Sequence, residues 1–143
     1  MAATTFTRSI GINAPVREVF DFIGDPVRLF STWPMSVSVS EVRISAEGVG
    51  TTYEWTGGSE WNVTLSGVMT REAHVPDEQI IERSTSGSVW DWRVRPEGDG
   101  SRLTVTCDHS ARTIPGMDVG VMRMTARDLE EMLADIKERV ERR

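Results

Sequence analysis

Apolar and polar residues change rhythm three times along this chain. Weak alternation in TFTRSIGI, residues 5 to 12, gives way to a three-to-four-residue recurrence. Alternation returns from residue 37, and the longer recurrence takes over again beyond residue 116. Alternating side chains point to opposite faces of a strand, whereas a 3.6-residue recurrence gathers them on one side of a helix. Residues 5 to 12 therefore predict a first strand. Pro15 suits a first helical position, and Val16, Val19, Phe20 and Ile23 then fall at i, i+3, i+4 and i+7, which predicts a short amphipathic helix. Asp25-Pro26 restarts the pattern as helix cap and first turn, with Leu29 and Phe30 as its buried face. This second helix should end before Trp33-Pro34, because proline disfavours helical backbone in the residue before it.

The segments VSVSEVRIS, TTYEW, WNVTLSGVMTRE, QIIERST, VWDWRVR and RLTVTCDHSA read as six strands. Their connections, such as Val75-Pro76-Asp77-Glu78 and Glu97-Gly98-Asp99-Gly100, are short and built of turn-forming residues. Consecutive antiparallel hairpins need such turns, and none is long enough for a helical crossover. A meander follows. After Thr113-Ile114-Pro115-Gly116, the residues Val119, Met122, Ala126, Leu129, Leu133, Ile136 and Val140 are spaced 3, 4, 3, 4, 3 and 4. Arg127, Asp128, Glu131, Asp135, Glu138 and Arg142 occupy the opposite side, which predicts an amphipathic helix of about seven turns. A coiled-coil seam shares this spacing. The sheet's apolar face, however, needs a helix to cover it, and the terminal helix is the one available.

Composition narrows the classes of function. The 143 residues suit one domain spanning 1–143, and the net charge is −6. Lys and Arg are scattered without a concentrated patch, so nucleic acid is not an expected partner. No apolar run approaches the roughly 18 residues of a membrane span, and the first residues do not read as a secretory signal. The single Cys107 allows no internal disulfide, and a cytoplasmic protein is expected. His74, His109 and Cys107 have no metal-ligand spacing. Gly48-Val49-Gly50 lacks the third glycine of a dinucleotide loop, and no nucleophile elbow or phosphate loop appears. No metal or organic cofactor is expected.

The segment SIGINAPVREVFDFIGDPVRLFSTWP resembles the opening of the START/Bet v1-like superfamily, also called SRPBCC or polyketide cyclase/dehydrase-like proteins. The motif positions are Ala14-Pro15, Asp25-Pro26 and Trp33, and the order of elements is similar over the whole chain. Phe30-Ser31-Thr32 departs from the pattern, since many relatives carry a proline there. The resemblance implies an α+β helix-grip fold. In it a curved, antiparallel, seven-stranded sheet surrounds a long C-terminal helix, two short helices follow the first strand, and a hydrophobic cavity is enclosed. Lipids, isoprenoids or polyketide-like molecules are the ligands it implies. Some relatives catalyse cyclisation or dehydration, and others serve as chaperone cofactors.

Parity along the strands then gives the inward set. Trp90, Trp92 and Val94 share one face, as do Leu103, Val105, Cys107 and His109. Val63, Leu65, Met69 and Arg71 share another, and Tyr53 and Trp55 a fourth. A bulge would reverse parity beyond it. Opposite them the helix offers Met122 and Leu129, and methionine adapts to irregular shapes. This bulky, mostly apolar set fits either a filled core or a small-molecule cavity, and the resemblance favours the cavity. His109 is the candidate acid-base group of an enzyme, with Tyr53 or Arg71 polarising a carbonyl. A lone histidine near a strand end is also a common structural donor. Arg71 could pair with a ligand carboxylate or reach out to water. Cys107 reads as a small buried apolar residue. Three functions follow: a binder of a hydrophobic small molecule, a polyketide cyclase or dehydratase, or an interaction module with a large exposed apolar patch. Monomer and homodimer are both compatible with the sequence.

Overall fold

The computed structural model describes residues 5–33, 37–58, 64–85, 87–108 and 126–142. Strand β1 (Thr5–Ile12) leads into helices α1 (Val16–Ile23) and α2 (Pro26–Phe30). Strands β2 (Val37–Arg43), β3 (Thr52–Gly58), β4 (Thr64–Val75), β5 (Gln79–Ser84), β6 (Val89–Glu97) and β7 (Gly100–Asp108) follow. Helix α3 (Ala126–Glu141) closes the chain. The seven strands form one antiparallel, curved sheet in the order β1-β7-β6-β5-β4-β3-β2. Six of them are the meander, and β1 pairs with its last strand, from Thr5 opposite Asp108 to Ile12 opposite Ser101. The result is the expected α+β helix-grip architecture.

The break between the two short helices is written in Asp25. Its carboxylate accepts from the backbone N–H of Val27 at 3.1 Å and of Arg28 at 3.4 Å, and Pro26 takes the first helical position. A capped start of this kind satisfies donors that the first turn would leave open. Both helices bury one side: Val19, Phe20, Phe22 and Ile23 from α1, and Leu29 and Phe30 from α2.

Helix α3 buries Leu129, Met132, Leu133, Ile136 and Val140 and runs along β1. Polar contacts fix it there. Arg8 Nε reaches Glu130 at 3.0 Å, the Asn13 N–H donates to Glu141 at 2.8 Å, and Arg139 donates to the Ser31 hydroxyl at 2.6 Å. All three are solvent-exposed and orient the helix more than they stabilise it; what holds it is its apolar stripe. The part of the predicted terminal helix before Ala126, including Met122, lies outside the described residues. No helix among the described residues is long and apolar enough to cross a membrane.

Two bulges shift the strand faces. One lies in β2 between Ser40 and Arg43, where Glu41 has φ 51°, and the other in β4 between Arg71 and Ala73. The second bulge matters for the site. Before it, Met69 and Arg71 face the helix side; beyond it His74, opposite the buried Ile80, takes that face.

Candidate functional site

The concave face of the sheet carries nearly all the expected residues that the structure describes. On β6, Trp90, Trp92 and Val94 are buried, and on β7, Leu103, Val105 and Cys107 are fully enclosed. Cross-strand register sets Trp90 against Cys107, Trp92 against Val105 and Val94 against Leu103. Residues two apart on a strand stand about 6.6–6.8 Å from one another. The two indoles use that spacing to stack, with ring centroids 6.0 Å apart and planes 10° from parallel. Phe30 and Trp33 then meet Trp90 edge-on, at 6.5 and 5.3 Å between centroids. Leu129 is buried on the helix opposite. Cys107, in the reduced form, lies among these apolar side chains.

The other half of the face, on β3 to β5, is polar at its centre. Tyr53 donates its hydroxyl hydrogen bond to Oε1 of Glu82. Arg71 donates from Nε to Oε2 of the same carboxylate at 3.0 Å, and both side chains of this ion pair are at most 4% exposed. Arg71 also donates from Nη2 to the Gly24 carbonyl at 3.0 Å and stands 3.3 Å from Nδ1 of His74 through Nη1. Of five N–H groups on the guanidinium, three are thereby engaged by described residues. Register makes this assembly possible. Arg71 lies opposite Glu82, and Tyr53 is one strand further out, opposite Met69. Burial, and then the Glu82 charge, push the Tyr53 phenol well above its ordinary pKa, so it stays a protonated donor.

Trp55 borders this polar set. It is half-buried, and its indole N–H donates to the Ser84 hydroxyl on β5 at 3.1 Å. To get there the ring crosses β4 at Gly67, where a Cβ would lie 2.9 Å from the indole nitrogen. A glycine is what lets the ring lie flat on the strand. Met69 is buried between Tyr53 and Ser84.

Arg71 therefore does not reach for water, and the charge it meets is Glu82 rather than a free space for a ligand carboxylate. Glu82, Ser84 and His74 belong to the site but are missing from the inward lists read by parity. Ile80, Glu82 and Ser84 do alternate inward on β5, so their signal was present in QIIERST. His74 had none, because the bulge puts it three rather than two residues from Arg71 on the shared face. His109, Val63 and Met122 lie outside the described residues, as does the Leu65 side chain. An open groove of about 760 Å³ lies at the far end of β6, beside Glu78, Arg93 and Arg95, and of the expected inward set only Val94 lines it.

Comparison with known proteins places this architecture. The chain is similar in structure to the protein KanY, at 23% identity and a TM-score of 0.73, over 99% of each chain. It is similar to TTHA0849 from Thermus thermophilus, also at 23% identity, with a TM-score of 0.74 over 96% of this chain and 97% of that one. Ara h 8.0201 matches at 14% identity and a TM-score of 0.69, over 97% of this chain and 98% of its own. A search of curated proteins finds no match. The family model described as polyketide cyclase / dehydrase and lipid transport matches residues 3–141. Motif, element order and family model agree over nearly the whole length: the chain belongs to the polyketide cyclase/dehydrase and lipid transport family of START/Bet v1-like (SRPBCC) proteins.

Proposed function

We propose that the protein binds a hydrophobic small molecule, of lipid, isoprenoid or polyketide-like character, between the concave face and the C-terminal helix. The observation that carries this reading is the buried Tyr53–Glu82–Arg71 cluster beside an otherwise apolar, aromatic wall. Burying an ion pair gains little stability over apolar residues of the same volume. Its presence is better explained by a task, and small-molecule sites characteristically combine apolar walls with a few fixed polar groups. The cluster holds one cation and one anion, so it is neutral overall. A ligand carboxylate would disturb that balance, whereas a hydroxyl or carbonyl oxygen could accept from the guanidinium N–H groups not engaged by Glu82, Gly24 and His74. The apolar body would then lie along Trp90, Trp92 and Val105.

Native mass spectrometry of freshly purified protein, with tryptophan fluorescence under a panel of lipids and polyketides, tests this. A co-purified mass or quenching by an apolar ligand is expected. Absence of both across the panel would remove the reading.

A second reading is an enzyme of the cyclase or dehydratase type. Arg71 favours it, since the N–H groups that Glu82, Gly24 and His74 do not engage could polarise a carbonyl beside Tyr53. His109 would move the proton. Turnover of a genuine substrate unchanged by His109→Gln would end that assignment.

A further inference from the structure

His74 sits where three parts of the molecule meet. The loop between β2 and β3 folds over it so closely that a Cβ on Gly48 would lie 2.2 Å from its Cγ, and Gly48 has φ 83°. From α1, the Phe20 ring meets the imidazole edge-on at 5.3 Å between centroids. From β5, the cross-strand partner is the apolar Ile80. From its own strand comes the Arg71 guanidinium, 3.3 Å from Nδ1, with the Glu82 carboxylate behind it. Glu47, next to Gly48 on the loop, is exposed.

An arginine has no acceptor, so this hydrogen bond requires Nδ1 of His74 to be unprotonated. The same Arg71 ties the α1–α2 corner to the sheet through the Gly24 carbonyl, and its backbone clasps the loop. Gly50 N–H donates to the Arg71 carbonyl at 2.9 Å, and Arg71 N–H donates to the Thr51 carbonyl at 2.8 Å. Loop, helical corner and interior ion pair thus converge on one arginine and one histidine.

We propose that His74 and Arg71 form an acid-sensitive latch that holds the β2–β3 loop and the α1–α2 corner against the concave face. Protonating His74 replaces an acceptor with a second cation beside Arg71, directly beneath the Gly48 backbone of the loop. The loop lifts and the corner loosens. Burial, and then the Arg71 charge, lower the His74 pKa from its ordinary 6.5, in keeping with a neutral ring in the closed form. The unfolded chain consequently takes up the proton first. The latch's contribution is complete above 6.5 and is lost as pH falls from there through the lowered folded value. If the cavity reading above holds, ligand affinity falls over the same interval.

Amide hydrogen exchange on the ligand-free protein tests the latch directly. Protection factors at Gly48, Gly50 and Thr51 should fall by about tenfold or more between about pH 7.5 and about pH 5.5, with the β6–β7 amides unchanged. His74→Gln keeps a neutral acceptor and should abolish that fall. Equal protection at both pH values, or the same fall in the variant, overturns the proposal. So does an imidazole titration of His74 in the wild-type protein, followed by NMR, with its midpoint at or above 6.5; this needs no variant. An anilinonaphthalene sulfonate probe separates the two readings. Where it binds, its dissociation should speed up in acid in the wild type alone. No probe binding, with the loop still responding through His74, would count against the cavity and leave the latch standing.

Discussion

The two halves of the concave face are built on opposite principles. The β6–β7 half is apolar throughout, with Trp90, Trp92, Val94, Leu103, Val105 and Cys107 buried in one continuous surface. The β3–β5 half buries a phenol, a carboxylate, a guanidinium and a hydroxyl in Tyr53, Glu82, Arg71 and Ser84. Burial is as complete on one side as on the other, yet its energetics differ. Apolar burial is additive and tolerant of shape, roughly 25 cal/mol per Å² removed from water. Polar burial holds only while every partner is present, because each group left alone bears its full desolvation penalty. One half supplies stability and an apolar wall, the other the polar groups that would fix a ligand's orientation.

The largest effect expected from breaking this contrast is in the apolar half. Trp92 is 1% exposed and stacked on Trp90. Replacing it with alanine should cost about 3–5 kcal/mol in urea-induced unfolding, through lost transfer energy and the cavity left behind. A cost below about 1 kcal/mol would mean the indole serves only as cavity wall, and the stabilising share given to this half would fail there.

The polar half answers differently to single and paired changes. Glu82→Ala strands the Arg71 charge in the interior and should cost about 3–5 kcal/mol. The double change Arg71→Met with Glu82→Leu removes both charges. It still leaves the Tyr53 hydroxyl and the Gly24 carbonyl without these partners, so it should cost about 1–2 kcal/mol, less than Glu82→Ala alone, while abolishing any binding of oxygen-bearing ligands. Equal costs for the single and double variants would show that the pair is not electrostatically coupled.

How much of this was legible in the sequence depends on which physical rule governs each part. The strands, the Asp25 cap and the amphipathic helix residues Leu129, Leu133, Ile136 and Val140 are set by local pattern, and the structure has each of them, though β3 runs on through Thr56-Gly57-Gly58 and β4 on to Val75. That β1 adds to the open edge of β7 is a matter of sheet topology, which alternation within either strand does not encode. The apolar half was legible because Trp90, Trp92, Val105 and Cys107 follow an uninterrupted period of two. The polar half was only partly so. Tyr53, Trp55 and Arg71 follow from alternation, whereas Glu82 follows only once Ile80 is taken to set the inward face of a mostly polar strand. His74 was hidden by a bulge, a local change in backbone that inverts every face beyond it. Pattern gives elements and faces; the partners of buried charges depend on register across strands.

The smallest effect tests the seam between the halves, at Trp55. Phenylalanine there keeps the ring over Gly67 but removes the N–H that the Ser84 hydroxyl accepts at 3.1 Å. A neutral hydrogen bond of this kind contributes about 0.5–1.5 kcal/mol net, and at a half-buried position water can replace part of it. Trp55→Phe should therefore cost about 1 kcal/mol or less, as should Ser84→Ala. The informative quantity is their coupling in a double-mutant cycle. A coupling of about 0.5 kcal/mol or more shows that the hydrogen bond forms in solution and that the polar network extends from Arg71 out to the indole. A coupling near zero shows the indole N–H bonded to water instead. The polar half would then end at Glu82, and Trp55 would belong to the rim of the site.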